Sequence, residues 1–303
     1  MSRVRRMLGL SFVQVAVEVV AAGLLLGLSH EAFVAQRRPA YPAEGFDLVE
    51  NVLSAALLLG LLVLAARLLE RRPLAEIGIA RPGAVRAGLL GFAGGAAMFA
   101  AVVGILAVAG WYRVTGVEPL ARLLRLLLPW LALIVATAAV EEFLFRGILF
   151  RLAERALGSW LAVLLSAVLF GLSHMSTAHA TVVGALAIAV GGGVVMAALF
   201  VLTRSLWPVI GLHAGWNFCE GPLFGAPISG YLNFPSLLHP SIAGPASWTG
   251  GAYGPEAGLL PIIVGLTVSA ALFALAVRRG RLVAPPRRWW VRRAWPAPPT
   301  VGA

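Results

Sequence analysis

Apolar runs long enough to cross a bilayer recur along almost the whole chain, and no other feature restricts its fold so severely. Crossing a hydrocarbon core of ~30 Å takes about 20 helical residues. Eight segments approach or exceed that length: 8–29, 46–69, 87–111, 126–150, 159–174, 180–203, 206–220 and 258–277. The fifth and seventh are short, which suits helices that stand upright or are covered by neighbours. Runs this continuous have to be helical, because hydrocarbon offers no partner to a backbone group left unpaired. Of the 303 residues, 60% are hydrophobic and 12% charged, where a soluble domain carries about 25% charged residues. Too little polar surface is left to face water. The expected fold is an all-α polytopic membrane protein with about eight transmembrane helices.

The formal net charge of +11 does not point to nucleic acid. All 24 basic residues are Arg, and they lie between apolar runs and in the tail rather than on one face of a soluble domain. With both termini in the cytoplasm, 19 arginines fall in inside segments and five (Arg37, Arg38, Arg113, Arg122, Arg125) outside. That bias is the one that sets membrane topology; an odd number of spans would spoil it. No nucleic-acid partner is expected. The stretch 8–29 follows Arg3, Arg5 and Arg6 and resembles a signal peptide, but its length and Glu18 favour a retained first helix. Cys219, the single cysteine, allows no intrachain disulfide and reads as packing.

The domain organisation expected is an N-terminal set of helices with an interfacial segment over 1–115, a helical core over 116–280, and a basic cytoplasmic tail over 281–303. That tail interleaves Arg and Trp, as an anchor for anionic lipid headgroups would. Residues 221–257 hold seven Gly, six Pro and no Arg. An ordinary long outer loop is the simpler expectation; a structured cap over the bundle is the alternative, tolerable at membrane depth only where protein covers its backbone.

Three places within the spans carry chemistry. The first is Glu141, Glu142 and Arg146, where each charge near mid-bilayer costs ~2.5–3.5 kcal/mol. Glu142 and Arg146 are four apart and share a helical face, so they can pair. Glu141 is turned about 100° away and is left over, which makes it the candidate for chemistry. The second is Phe170 with His174, and the third His213 with Asn217, four apart with small residues between them that permit close helix approach. Counted from the inner ends at 1.5 Å per residue, Glu141 and His213 lie ~12–15 Å deep and His174 ~22 Å.

In order, these residues spell EExxxR, FxxxH and HxxxN, and the region 120–220 resembles the CPBP family. That family includes the Ras-converting type of CAAX prenyl protease and bacterial bacteriocin-processing, Abi-like proteins. The stretch 71–79 resembles the interfacial segment that precedes the family core. The resemblance implies a CAAX-protease-like bundle and an intramembrane endopeptidase acting on a membrane-associated or lipid-modified protein or peptide. In it Glu141 and His174 would activate a water and His213 and Asn217 would face the oxyanion. Glu142 and Arg146 would hold their helix in register. No cofactor is expected. A zinc-dependent version stays open, since one carboxylate and two His are zinc ligand types. It is disfavoured because no HExxH-like pair occurs and no spare carboxylate is evident to back each His. A non-catalytic scaffold or immunity protein of the same fold also stays open. So does a proton-coupled transporter, although no internal repeat of the kind transporters show is visible. The Arg-only composition suggests a bacterial plasma membrane.

Overall fold

A computed structural model describes residues 44–64, 66–67, 73–79, 82–177, 179–230 and 236–285 of the chain. The first expected span, 8–29, and the tail beyond 285 lie outside the described residues. Helices dominate, in chain order α1 (Glu44–Leu64), α2 (Ala84–Val108), α3 (Leu120–Glu142), α4 (Ser159–Ser173), α5 (Val182–Ile188), α6 (Trp207–Phe218) and α7 (Leu259–Arg278). Three of these run on through widened, π-helical turns: α3 through Phe143–Phe150 into Arg151–Leu157, α5 through Ala189–Gly193 into Val194–Thr203, and α6 through Cys219–Leu223. Single π-type turns are uncommon and gather at functional sites.

Five helical stretches are long and apolar enough to cross a membrane: Ala84–Val108, Leu128–Leu157, Ser159–Ser176, Val182–Thr203 and Leu259–Arg278. They make this an integral membrane protein. The expected eight spans reduce accordingly among the described residues. The second survives as a shorter apolar helix, Val52–Leu64. The seventh is the 12-residue α6, about 18 Å at 1.5 Å per residue, too short to cross unaided. The reason is visible in its surroundings. Pro208 through Gly215 are all buried, so protein rather than lipid is its solvent, and its length is released from the bilayer's thickness.

Glycine makes that burial possible. A Cβ on Gly95 would meet the Leu212 carbonyl at 1.9 Å, and one on Gly211 or Gly215 would meet the carbonyls of Gly88 or Phe92 at 2.1 Å. The α2 and α6 backbones therefore touch, the close approach that small residues spaced along a helix permit. Outward faces stay apolar: Leu161, Leu164, Leu165 and Leu172 on α4 are exposed, as a lipid-facing stripe requires.

The fold is not purely helical. Tyr112–Val117 (β1) pairs antiparallel with Leu238–Ile242 (β2), Tyr112 opposite Ile242 and Val117 opposite Leu238, with a bulge between Val114 and Gly116. β1 joins α2 to α3, and β2 belongs to the 221–257 segment. Outside residues 231–235, that segment is thus a structured cap and not an ordinary loop. Tyr112 Oη donates to the Phe224 carbonyl at 2.7 Å, Glu118 N to Leu237 O at 2.8 Å and Ala243 N to Trp111 O at 2.9 Å. Backbone groups that would be orphaned at the membrane are met by one another.

At the opposite end a second polar knot ties the bundle. Arg204 reaches the buried Glu154 at 2.5 and 3.1 Å and also donates to the Arg281 carbonyl; Glu154 accepts from Ser159 Oγ as well. Val283 N donates to Ser159 Oγ at 2.8 Å and Ser159 N to Val283 O at 2.9 Å. The start of the tail is thereby laid across the α3–α4 turn. The described part of the 71–79 stretch forms a short 3₁₀ turn, Leu74–Ile77, and Gly78 O accepts from Leu206 N at 2.9 Å.

Candidate active site

The site lies under the cap. Three elements build it: the end of α3 with its widened turns, the last turn of α4, and α6. Glu142 and Arg146 are both fully buried and paired at 3.0 Å, as their spacing predicts. The arginine is held twice more, donating from Nη2 to Gly193 O at 2.9 Å and lying 4.7 Å over the Phe170 ring. Buried charge is tolerable only with such partners.

Glu142 does more than pair with its arginine. His213 Nδ1 lies 3.0 Å from the same carboxylate oxygen, so Nδ1 carries the proton it donates and Nε2 is left to face outward. A carboxylate stands behind one of the two histidines, where the sequence showed no obvious one for each. Glu142 was hidden by its evident pairing with Arg146; the coordinates put one acceptor between two donors.

His213 Nε2 in turn lies 3.9 Å from Glu141 Oε2, too far for a hydrogen bond. The Glu141 side chain is 26% exposed, yet its Oε2 is buried and without a hydrogen-bond partner. Orphaned acceptors of this kind are rare in folded proteins.

His174 caps α4. Its Nδ1 is 2.8 Å from the Phe170 carbonyl, which only accepts, so this imidazole too presents Nε2. Phe170 is buried between the rings, 4.9 Å from His174 and 5.9 Å from His213. By that geometry the two imidazole centroids lie no more than about 11 Å apart. Asn217 is one turn beyond His213 on α6 and half-buried.

Two acids escaped the sequence reading. Glu220, one turn past Trp216, is fully buried and accepts from its indole Nε1 at 3.0 Å. Glu256, the single charged residue of the cap, accepts from Ser229 N and Oγ at 2.6 and 2.7 Å. Burial pushes the Glu256 carboxyl above its usual range; His174 and, more weakly, His213 pull against that shift. Tyr253 is raised to about 12, mainly by burial and then by the Glu256 charge. Counting Glu256 among the loop's Gly and Pro hid the one charge the cap possesses; Glu220 sits at i+3 from Asn217 and was passed over as the end of an apolar run.

Among the described residues no three of His, Cys, Asp and Glu converge as a metal site would require. An apolar groove also opens between α1 and α3, lined by Val52, Ala55, Leu128, Val135 and Ala139, and Ala139 stands two residues before Glu141.

Residues 123–219, which contain every expected site residue, match the model of the type II CAAX prenyl endopeptidase Rce1-like family. That is the family the three motifs resemble, and it is a family of proteases. No curated protein and no solved structure gives a significant match to the chain.

Proposed function

We propose that the protein is an intramembrane endopeptidase that hydrolyses a peptide bond of a membrane-associated or lipid-modified chain with a water activated by Glu141. The observation that carries this reading is the orphaned Glu141 Oε2 facing His213 Nε2 at 3.9 Å. One water about 2.8 Å from each, an ordinary hydrogen-bond length, bridges that gap with an angle near 90°. Such a water has an acceptor on one side and a ring nitrogen on the other, the arrangement a general base needs.

The proton balance is simple. Glu141 takes one proton from the water as its oxygen bonds to the carbonyl carbon. His174, protonated, gives one to the nitrogen as the C–N bond breaks, and the proton on Glu141 restores the imidazolium. Asn217 supplies a donor toward the oxygen that becomes negative, and His213 joins it only as the imidazolium, with Nε2 protonated. Glu142, fixed by Arg146, holds His213 in its tautomer. The groove between α1 and α3 suits an apolar substrate segment arriving through the bilayer. With both termini cytoplasmic, the cap and the His174 turn face the outer side, and the basic tail meets anionic headgroups inside.

A metal-dependent route asks for ligands that these residues supply poorly: the Glu142 carboxylate is already engaged by Arg146 and His213. The experiment is mass spectrometry of candidate membrane peptides incubated with wild type and Glu141→Gln, each after exhaustive chelation. The reading predicts cleavage by chelated wild type and none by the variant. Loss of wild-type cleavage on chelation, restored by zinc, favours the metal route. No cleavage in a wide search favours a non-catalytic scaffold.

A further inference from the structure

The cap is joined to the helix that carries His213 and Asn217 by two acids to which the mechanism above gives no task. Glu220 lies in the widened turns Cys219–Leu223 that continue α6 and is fully buried. Glu256 lies on the second arm of the cap, residues 236–257. Glu220 accepts from the Trp216 indole at 3.0 Å, but its Oε1 is buried with no partner of ordinary geometry. What it meets is another acid: the backbone and the side chain of Glu256 are both hydrogen-bonded to Glu220. An ionised carboxylate only accepts, so a hydrogen bond between two carboxyl groups requires a proton on one of them. Two negative charges in contact away from water repel too strongly to persist together.

Glu256 is also tied to the first arm of the cap, residues 221–230, through its Oε1, which accepts from Ser229 N and Oγ at 2.6 and 2.7 Å. The two arms touch beside it. Gly230 N donates to Tyr253 O at 2.8 Å, and a Cβ on Gly254 would meet the Pro227 carbonyl at 2.2 Å. The second arm in turn covers the turn that carries His174: Thr177 Oγ1 lies 2.8 Å from the His174 carbonyl and 3.2 Å from the Tyr253 hydroxyl. Detaching this arm from α6 therefore loosens the cover over that turn.

We propose that Glu220 and Glu256 share a single proton that latches the second arm of the cap to α6, and that loss of this proton loosens the cover over the His174 turn. Control of access to the site, as the purpose of the latch, rests on the proteolytic reading; the shared proton does not. Three titratable groups face the pair from the elements around it. Tyr253, pushed up to about 12 mainly by burial, stays neutral near pH 7 and adds no charge. The His174 and, more weakly, His213 imidazoles favour an ionised Glu256, and with the Trp216 donor they support one negative charge on the pair, not two. Closed, the pair holds one proton; opened above the ordinary carboxylate range, it holds none. Opening therefore grows about tenfold per pH unit between that range and the raised value that burial gives Glu256. Below that range the latch is complete.

The test uses full-length protein in lipid nanodiscs and needs no substrate. Infrared difference spectra near neutral pH, wild type minus variant, read the carbonyl stretch of a protonated carboxyl. That band is expected to be lost in Glu220→Gln and in Glu256→Gln alike, and to fall no further in the double variant, because a Gln amide supplies the hydrogen bond without a titrating proton. Hydrogen exchange, corrected for its intrinsic pH dependence, is expected to show opening of 236–257 growing about tenfold per pH unit in wild type and staying flat in both single variants. Glu118→Gln, which breaks the cap's pair with His239 (3.0 Å), is expected to keep both the band and the slope. Absence of any protonated carboxyl in wild type near neutral pH overturns the proposal, however the variants fold. So does a band or a slope left unchanged by either Gln substitution, and so does an equal loss in Glu118→Gln, since cap seating and not the shared proton would be the cause. These readings decide the latch whether or not any peptide is cut, and cleavage decides the reading that gives it a purpose.

Discussion

A single oxygen of Glu142 accepts from both Arg146 and His213, and much of the site's order passes through it. Removing the arginine leaves a carboxylate buried with its strongest partner gone, a change that costs about 3–5 kcal/mol for buried pairs. Arg146→Met is therefore expected to lower thermal stability well beyond any surface substitution, and Arg146→Met combined with Glu142→Leu to recover part of the loss. Calorimetry in detergent of the two proteins checks this; equal melting temperatures for wild type and Arg146→Met would contradict it. Spacing made the Glu142–Arg146 pair readable, because partners four apart on a helix have few choices. The His213 contact spans 71 residues of sequence, and no local period reports on such a distance. His174 and His213 were identifiable as polar groups in apolar runs, but their tautomers follow from Phe170 O and Glu142, which only coordinates place.

At the scale of elements, α6 shows why eight apolar runs do not make eight demonstrated spans. Hydropathy reports that a segment avoids water without saying whether lipid or protein replaces it. The Gly-rich contact between α2 and α6 predicts a sharp contrast between neighbours. Gly95→Ala forces a Cβ to 1.9 Å from a carbonyl, whereas Gly94 has nothing within 4 Å. Overpacking of this kind costs about 1–3 kcal/mol, so Gly95→Ala is expected to destabilise and to misplace His213. Gly94→Ala is expected to be neutral in the same melting assay. The cap makes its own prediction. Burial raises the Glu256 carboxyl, so the folded cap holds a proton that the opened chain releases. That contribution to cap stability is complete below the ordinary carboxylate range and is lost as pH rises through the raised value. Hydrogen exchange of amides in 236–257 is expected to quicken with pH beyond its intrinsic dependence in wild type, and not in Glu256→Gln. Composition left the choice between loop and cap open; the β1–β2 ribbon decides it, through backbone bonds between segments more than a hundred residues apart.

Across the whole molecule the two ends differ in kind. One carries the cap, the ribbon and the His174 turn; the other carries Glu154, Arg204 and the start of the tail. Arg146, Arg151 and Arg204 are fully buried, so three arginines that the topology count treats as cytoplasmic markers are structural. The bias of inside over outside survives their removal. Arg204→Ala, which strands Glu154, is expected to cost about 3–5 kcal/mol and to free the 281–285 segment to protease, although it stands at the end of the bundle remote from the cap. The central claim, that Glu141 activates water for peptide hydrolysis, is tested most directly by cleavage in H₂¹⁸O with chelator present. The account predicts one ¹⁸O in the new carboxyl terminus of a membrane peptide with wild type, and no product with Glu141→Gln. Labelled product formed at an undiminished rate by Glu141→Gln would contradict it.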